Sequence, residues 1–242
     1  MDGPKFSKGE AIRFGWETMK KNLGFFIVLM IIVGIIQIVP DFVSDLYAEN
    51  NPALWLLIFI CAYILNCLVA MGQIEITLKL CDDRKPRLDD LFSCANLLLK
   101  YIAVSILYSL IVLGGLILLI IPGIIFAIKY QFCIYFLVDQ NTGIMESLKK
   151  SGEITDGAKL DLFLFGWILA GIVLLGALCL LVGLFAAVPT AMVAHAWVFR
   201  VLNAKAGLPR ADVEIAAEER VVEDAAEEDD SEARRKRPWK KW

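Results

Sequence analysis

The stretch Tyr101–Val138, YIAVSILYSLIVLGGLILLIIPGIIFAIKYQFCIYFLV, carries a single charge, Lys129, in 38 residues. As one helix it runs about 57 Å, at about 1.5 Å per residue, nearly twice a hydrocarbon core of roughly 30 Å. It therefore crosses a bilayer twice. The reversal is expected at Pro122-Gly123, because proline lacks a backbone donor and glycine accepts the angles of a tight turn. The fold class that follows is an all-α membrane protein.

Working outward, the remainder of the chain reads the same way. Of its 242 residues 58% are hydrophobic, and mean hydropathy is +0.65, against about 45–50% apolar residues in soluble domains. A first span is expected from Leu23 to about Val39, ended by Pro40. A second runs from about Leu54 to Gly72, with Asn66 inside it and Gln73 at its exit. Beyond the central hairpin, Leu162–Val188 is apolar throughout, and Pro189 leads into a last apolar run ending at Arg200. Six transmembrane helices in three hairpins result.

Amphipathic segments separate the hairpins. In residues 1–22, Ser7-Lys8-Gly9-Glu10 reads as a capping box; after it Ala11, Ile12, Phe14, Trp16 and Met19 alternate with Arg13, Glu17, Lys20 and Lys21. This is the pattern of a short helix lying on a membrane surface. A signal peptide fits less well, since the apolar run starts late and has no small-residue cleavage site. Leu88-Asp89-Asp90-Leu91-Phe92 and the segment from Ile144 to Ile154 repeat the amphipathic theme. After their prolines, PGIIFAIKYQF and PTAMVAHAWVF align with Ala127 opposite Ala194, Tyr130 opposite Trp197 and Phe132 opposite Phe199. Three repeated units, each a surface helix and two spans, are one reading; chance likeness among apolar segments is the other.

The domain organisation expected is an N-terminal amphipathic cytoplasmic segment (1–22), a six-span domain (23–203) and a disordered tail (204–242). In the tail an acidic block from Asp212 to Glu232 precedes Arg234-Arg235-Lys236-Arg237-Pro238-Trp239-Lys240-Lys241-Trp242, a blocky charge pattern of low hydrophobicity. Such a basic end suits anionic lipid headgroups better than nucleic acid; folding back of the acidic block, or plain solvation, competes with both. The short loops expected on the far side of the spans hold no lysine or arginine. The positive-inside rule then puts both termini in the cytoplasm, in a cell (inner) membrane protein whose surroundings are the lipid bilayer.

Leu118–Asp139, with LLIIPGI followed by a tyrosine-rich span and a terminal acid, then ESLKKS, Thr155 and Gly157, then LFLFGW, resembles an uncharacterised prokaryotic family of polytopic integral membrane proteins. The arrangement is similar to the membrane domain attached to some glycerophosphodiester phosphodiesterases. The resemblance spans about Leu88 to Leu202 and implies a helical membrane domain; no soluble segment here is long enough for the catalytic domain of those enzymes.

Catalytic and cofactor signatures are absent from the sequence. There is no GxxxxGK[ST], HExxH or GxSxG, and the single histidine, His195, argues against a zinc site. The six cysteines lie apart without a CxxC pair, and four sit in apolar runs as small hydrophobes. The chain is read as no enzyme and as needing no cofactor. What remains is a candidate intramembrane polar site: Lys129, His195, Asn66 and Gln73. Lys129 reads either as an anion, lipid-headgroup or proton site, or as a lysine snorkelling past Gly123 to the nearer interface. His195, at a similar depth, either shares a polar spot with Lys129 or bonds a neighbouring carbonyl. Asn66 and Gln73, seven apart, share a helix face. Gln131, Tyr135 and Asp139 form a stripe expected to dock the loop helix, with Asp139 facing Lys149 or Lys150. The expected function is a membrane module binding or moving a small or lipidic substrate. The alternative is a scaffold recruiting a cytoplasmic protein partner.

Overall fold

The computed structural model describes residues 6–47, 51–179 and 183–208, without the side chains of residue 41 and of residues 44–47. The chain divides into two units, Met1–Ala206 and Gly207–Trp242. The acidic and basic blocks of the tail lie outside the described residues.

All regular structure among the described residues is helical: α1 (Lys8–Lys21), α2 (Leu23–Tyr47), α3 (Pro52–Cys81), α4 (Leu98–Leu118), α5 (Ile120–Tyr130), α6 (Cys133–Gln140), α7 (Ile144–Ile154), α8 (Lys159–Leu178) and α9 (Leu184–Lys205). Short 3₁₀ turns at Leu88–Phe92 and Ala95–Leu97 lead into α4. Among the described residues six segments are long and apolar enough to cross a membrane, Leu23–Pro40, Pro52–Cys81, Leu88–Leu118, Ile120–Gln140, Lys159–Leu178 and Leu184–Lys205. The protein is a multi-span helical membrane protein.

The three prolines do not end helices where the sequence pattern suggests. The central hairpin turns at Leu119, whose backbone is extended (φ −162°, ψ 145°), and Pro122 sits in the first turn of α5. A proline there loses little, because first-turn amides have no intrahelical acceptor. Gly123 serves close approach instead: a Cβ on it would collide with Leu116, and one on Gly115 would collide with Gly123. The last hairpin repeats the device. Gly176 and Gly183 touch across its tip, and Pro189 is carried inside α9. Pro40 likewise lies within α2, which continues to Tyr47 although the apolar window closes at the proline.

Two cores among the described residues hold the helices. Met19 of α1, Phe26, Leu29 and Val33 of α2, Val69, Ile76 and Leu80 of α3, Leu91 and Val193 of α9 form one. Val104 of α4, Cys133 and Leu137 of α6 and Leu148 of α7 form the other. The apolar face of α1 is thus spent on protein rather than on lipid. Ala11, Gly15 and Met19 are buried, and Gly15 lies against Thr190 and Ala194 of α9 with no room for a Cβ. Half of the expected capping box is formed, Glu10 N–H donating to Ser7 Oγ at 3.4 Å. Trp16 stays 45% exposed.

Ion pairs tie together one end of the bundle. Lys8 of α1 meets Asp161 of α8 at 2.8 Å, and Lys79 of α3 meets Asp90 at 2.8 Å. Lys100 of α4 donates to Asn141 Oδ1 at 2.7 Å. The opposite end, around Leu118, Ile120 and Leu178, is apolar and exposed.

Single cysteines introduced into a cysteine-free background test this arrangement. Positions 85 and 150 are expected to react with an impermeant maleimide from one side of sealed vesicles, and positions 51 and 119 only from the other. Labelling of 85 and 119 from the same side contradicts it.

Candidate functional site

The last part of the fourth span is not one helix. α5 stops at Tyr130 and α6 starts at Cys133, leaving backbone groups that an apolar environment does not satisfy. α7 supplies the partners. Ser151 Oγ donates to the Lys129 carbonyl at 2.9 Å and accepts the Phe132 N–H at 3.2 Å. Thr155 Oγ1 lies 3.1 Å from the same carbonyl. α7 also carries its own capping contact, Gly143 N–H to Glu146 Oε2 at 3.4 Å. The Lys150 ammonium, first, and that amide hold the Glu146 carboxyl below the usual carboxylate range.

This docking decides where Lys129 goes. Its stem lies over Gly152, where a Cβ would stand 3.0 Å from Lys129 Cε, so it reaches toward α7 and the charged end rather than past Gly123. The ammonium sits 5.3 Å from the centre of the Tyr130 ring, and no carboxylate among the described residues pairs with it. It opens into a groove of about 540 Å³ between α4, α5 and α7. Ile111, Met145 and Leu148 give the groove its apolar wall, and Lys149, Glu153 and Asp156 its polar rim. Asp156 is engaged by Lys159 at 3.2 Å. Met145 is 71% exposed.

His195 belongs to a different place. Its Nδ1 lies 3.0 Å from the Tyr135 hydroxyl and its Nε2 3.3 Å from Gln131 Oε1, with Phe132 stacked at 4.9 Å. The partners are Tyr135 of α6 and the side-chain amide oxygen of Gln131, which lies in the break between α5 and α6; neither is a backbone carbonyl, and neither is Lys129. The stripe Gln131, Tyr135, Asp139 therefore faces α9 and not the loop helix. Asp139 is held by Arg200, in a two-pronged contact of 2.7 and 2.8 Å, and Arg200 also grips Asp82 at the end of α3 at 2.7 Å. The planar guanidinium matches a carboxylate along both prongs, which an ammonium does not. All three side chains are at most 8% exposed. Lys150 turns to Glu146 and Gln140 instead, each at 2.9 Å, and Lys149 lines the groove.

Asn66 and Gln73 do come together, in a third place. Both line a cavity of about 280 Å³ between α2, α3 and α4, with Gln37, Tyr63, Tyr101 and Ser105. Gln37, Tyr101 and Ser105 sit on neighbouring helices, where a spacing rule along α3 does not reach. Asn66 Nδ2 donates to the Ala62 carbonyl at 3.1 Å. The candidate set thus separates into a lysine groove, a histidine–tyrosine–glutamine contact and a neutral cavity.

No protein-family model matches the chain. It is similar to an uncharacterised protein of Mycobacterium bovis and to uncharacterised proteins of Mycobacterium tuberculosis, each 26% identical over 226 residues that take in 82% of this chain and 69% of the relative. No solved structure matches.

The arginine clasp makes a ranked prediction. Arg200→Met removes the cation that holds the buried Asp139, while Asp82 keeps Arg84 at 3.1 Å, and should cost about 3–5 kcal/mol. Asp139→Asn should cost less, about 1–3 kcal/mol, because Arg200 keeps Asp82. Arg200→Lys should recover only part of the loss. Equilibrium unfolding in mixed micelles reads all three, and equal losses for Met and Lys would contradict the two-pronged geometry.

Proposed function

We propose that this membrane protein binds or moves an anionic amphiphile, whose headgroup meets Lys129 while its chain lies along Ile111 and Met145. The observation that carries the reading is the Lys129 ammonium, without a carboxylate partner among the described residues, at the edge of an amphipathic groove. A cation there prefers protein or water to hydrocarbon. A phosphate or carboxylate headgroup completes it in the way the Tyr130 ring does only in part. Lys149 adds a second positive charge on the same rim, Glu153 a negative one that disfavours a headgroup of high charge.

The reading is of a binding module rather than an enzyme. It sits in the cell membrane, with the ion-paired end and both termini on the cytoplasmic side, as the positive-inside rule directs. Kinship with the membrane domain attached to some glycerophosphodiester phosphodiesterases, proposed on the motifs between Leu118 and Trp167, is compatible with a lipidic ligand.

Thermal unfolding of the purified full chain in a neutral detergent is the test. Phosphatidylglycerol should raise the midpoint more than phosphatidylcholine at equal mole fraction, since a ligand that binds only the folded state stabilises it. Lys129→Gln should remove most of the difference. Gly152→Val, which pushes the lysine stem aside, should do the same without touching the charge. Equal stabilisation by both lipids, or an undiminished preference in both variants, overturns the reading.

A further inference from the structure

The cavity between α2, α3 and α4 differs from the lysine groove in one respect that determines its ligand: nothing on its wall is a formal charge. Gln37, Tyr63, Asn66, Gln73, Tyr101 and Ser105 contribute amides, phenols and a hydroxyl. The side chains of Gln37 and Gln73 make no hydrogen bond to any described residue, and Asn66 uses only its amide N–H, on Ala62. Amides left open inside a membrane span cost free energy unless water or a ligand meets them. A spacing that served helix–helix bonding alone would have closed them on one another.

The mouth of the cavity points to the bilayer. Tyr63 is 48% exposed and Gln37 is exposed beside it, on helices whose neighbouring exposed residues are apolar, Ile38 and Phe59 among them. A ligand therefore arrives laterally, with its apolar part remaining against these side chains. Three chemistries are excluded in turn. An anionic or cationic headgroup finds no counter-charge here and pays full desolvation. A purely apolar ligand leaves the amides unmet. A ligand that only accepts hydrogen bonds leaves the amide oxygens unmet. A hydroxyl both donates and accepts, as do the amides and phenols facing it.

We propose that this cavity binds the uncharged, hydroxyl-bearing headgroup of a membrane lipid, with its acyl chains in the bilayer. The site is separate from the lysine groove and does not depend on the reading made of it.

The test uses the full chain in nanodiscs of phosphatidylcholine, with a fluorescent diacylglycerol as probe. Binding should saturate, unlabelled diacylglycerol should compete, and phosphatidic acid of the same chains should compete at least about tenfold less well. Asn66→Leu with Gln73→Leu should weaken binding about tenfold or more, on the scale expected for losing two hydrogen bonds. Because these variants alter a packed helix, a second measurement keeps the native wall. In a chain whose only cysteine is Cys67, which also lines the cavity, diacylglycerol should slow modification by N-ethylmaleimide, and phosphatidic acid should not. Saturable binding with protection of Cys67 supports the site. Non-saturable uptake, equal competition by phosphatidic acid, or unprotected Cys67 overturns it; the first of these is the outcome for a cavity that holds water alone.

Discussion

A break in a helix that crosses an apolar medium has to be repaired by something, and here α7 repairs it. The carbonyl of Lys129 and the N–H of Phe132 would otherwise stand open between α5 and α6, at a cost that hydrocarbon does not relieve. Ser151 satisfies both and Thr155 reinforces one. This small set of bonds has consequences in two directions. On one side it draws Gly152 against the Lys129 stem, and the groove opens where the two helices part. On the other it lets Gln131 in the break, and Tyr135 and Asp139 of α6, face α9, where His195 and Arg200 take them up. A continuous fourth span would carry the same residues past a different set of neighbours.

The spans themselves were legible because they rest on a one-dimensional quantity. A 38-residue apolar run with one charge has to cross twice, and the distribution of lysine and arginine separates the two ends. The hairpin tips were not legible from proline. Proline is excluded from helix interiors more firmly than from first turns, so Pro122 marks the start of α5 as well as it marks an end of α4. The signals that do lie at the tips are glycine pairs, Gly115 with Gly123 and Gly176 with Gly183, whose meaning appears only when the helices are laid together. For α1 the amphipathic pattern was read correctly as a pattern. It does not say whether lipid or protein covers the apolar face, and α9 covers it.

Side-chain partners were the least visible. Asn66 and Gln73 share a face by spacing within one helix, and that much holds in three dimensions. Asp139 has lysines ten and eleven positions away and an arginine sixty-one away. Proximity in sequence favours the lysines. Geometry favours the arginine, since α7 turns its lysines elsewhere to dock by Ser151 and Thr155, while α9 runs beside α6 with a fork that fits a carboxylate. Arg200 itself read as the end of an apolar run, because a buried arginine between two acids and an arginine entering water look alike in sequence.

The two cavities flank the same helix, and their difference follows from depth. Lys129 and Lys149 stand in an open groove whose rim carries Glu153 and Asp156, toward the ion-paired end of the bundle, where a charged group costs less than among apolar spans. Gln37 and Asn66 stand among apolar spans, with Gln73 at the exit of its own, and there amides and hydroxyls are the most polar groups a wall can hold without a counter-ion. A lipid bound as proposed would meet the neutral cavity from its side, and the lysine groove from the level of its headgroup. On the two readings, α4 separates lipids by headgroup charge: charged ones are kept near the boundary, and uncharged ones are admitted between the spans. That separation requires no movement of the protein, only the placement of one lysine by one serine, and of three amides by the pitch of two helices.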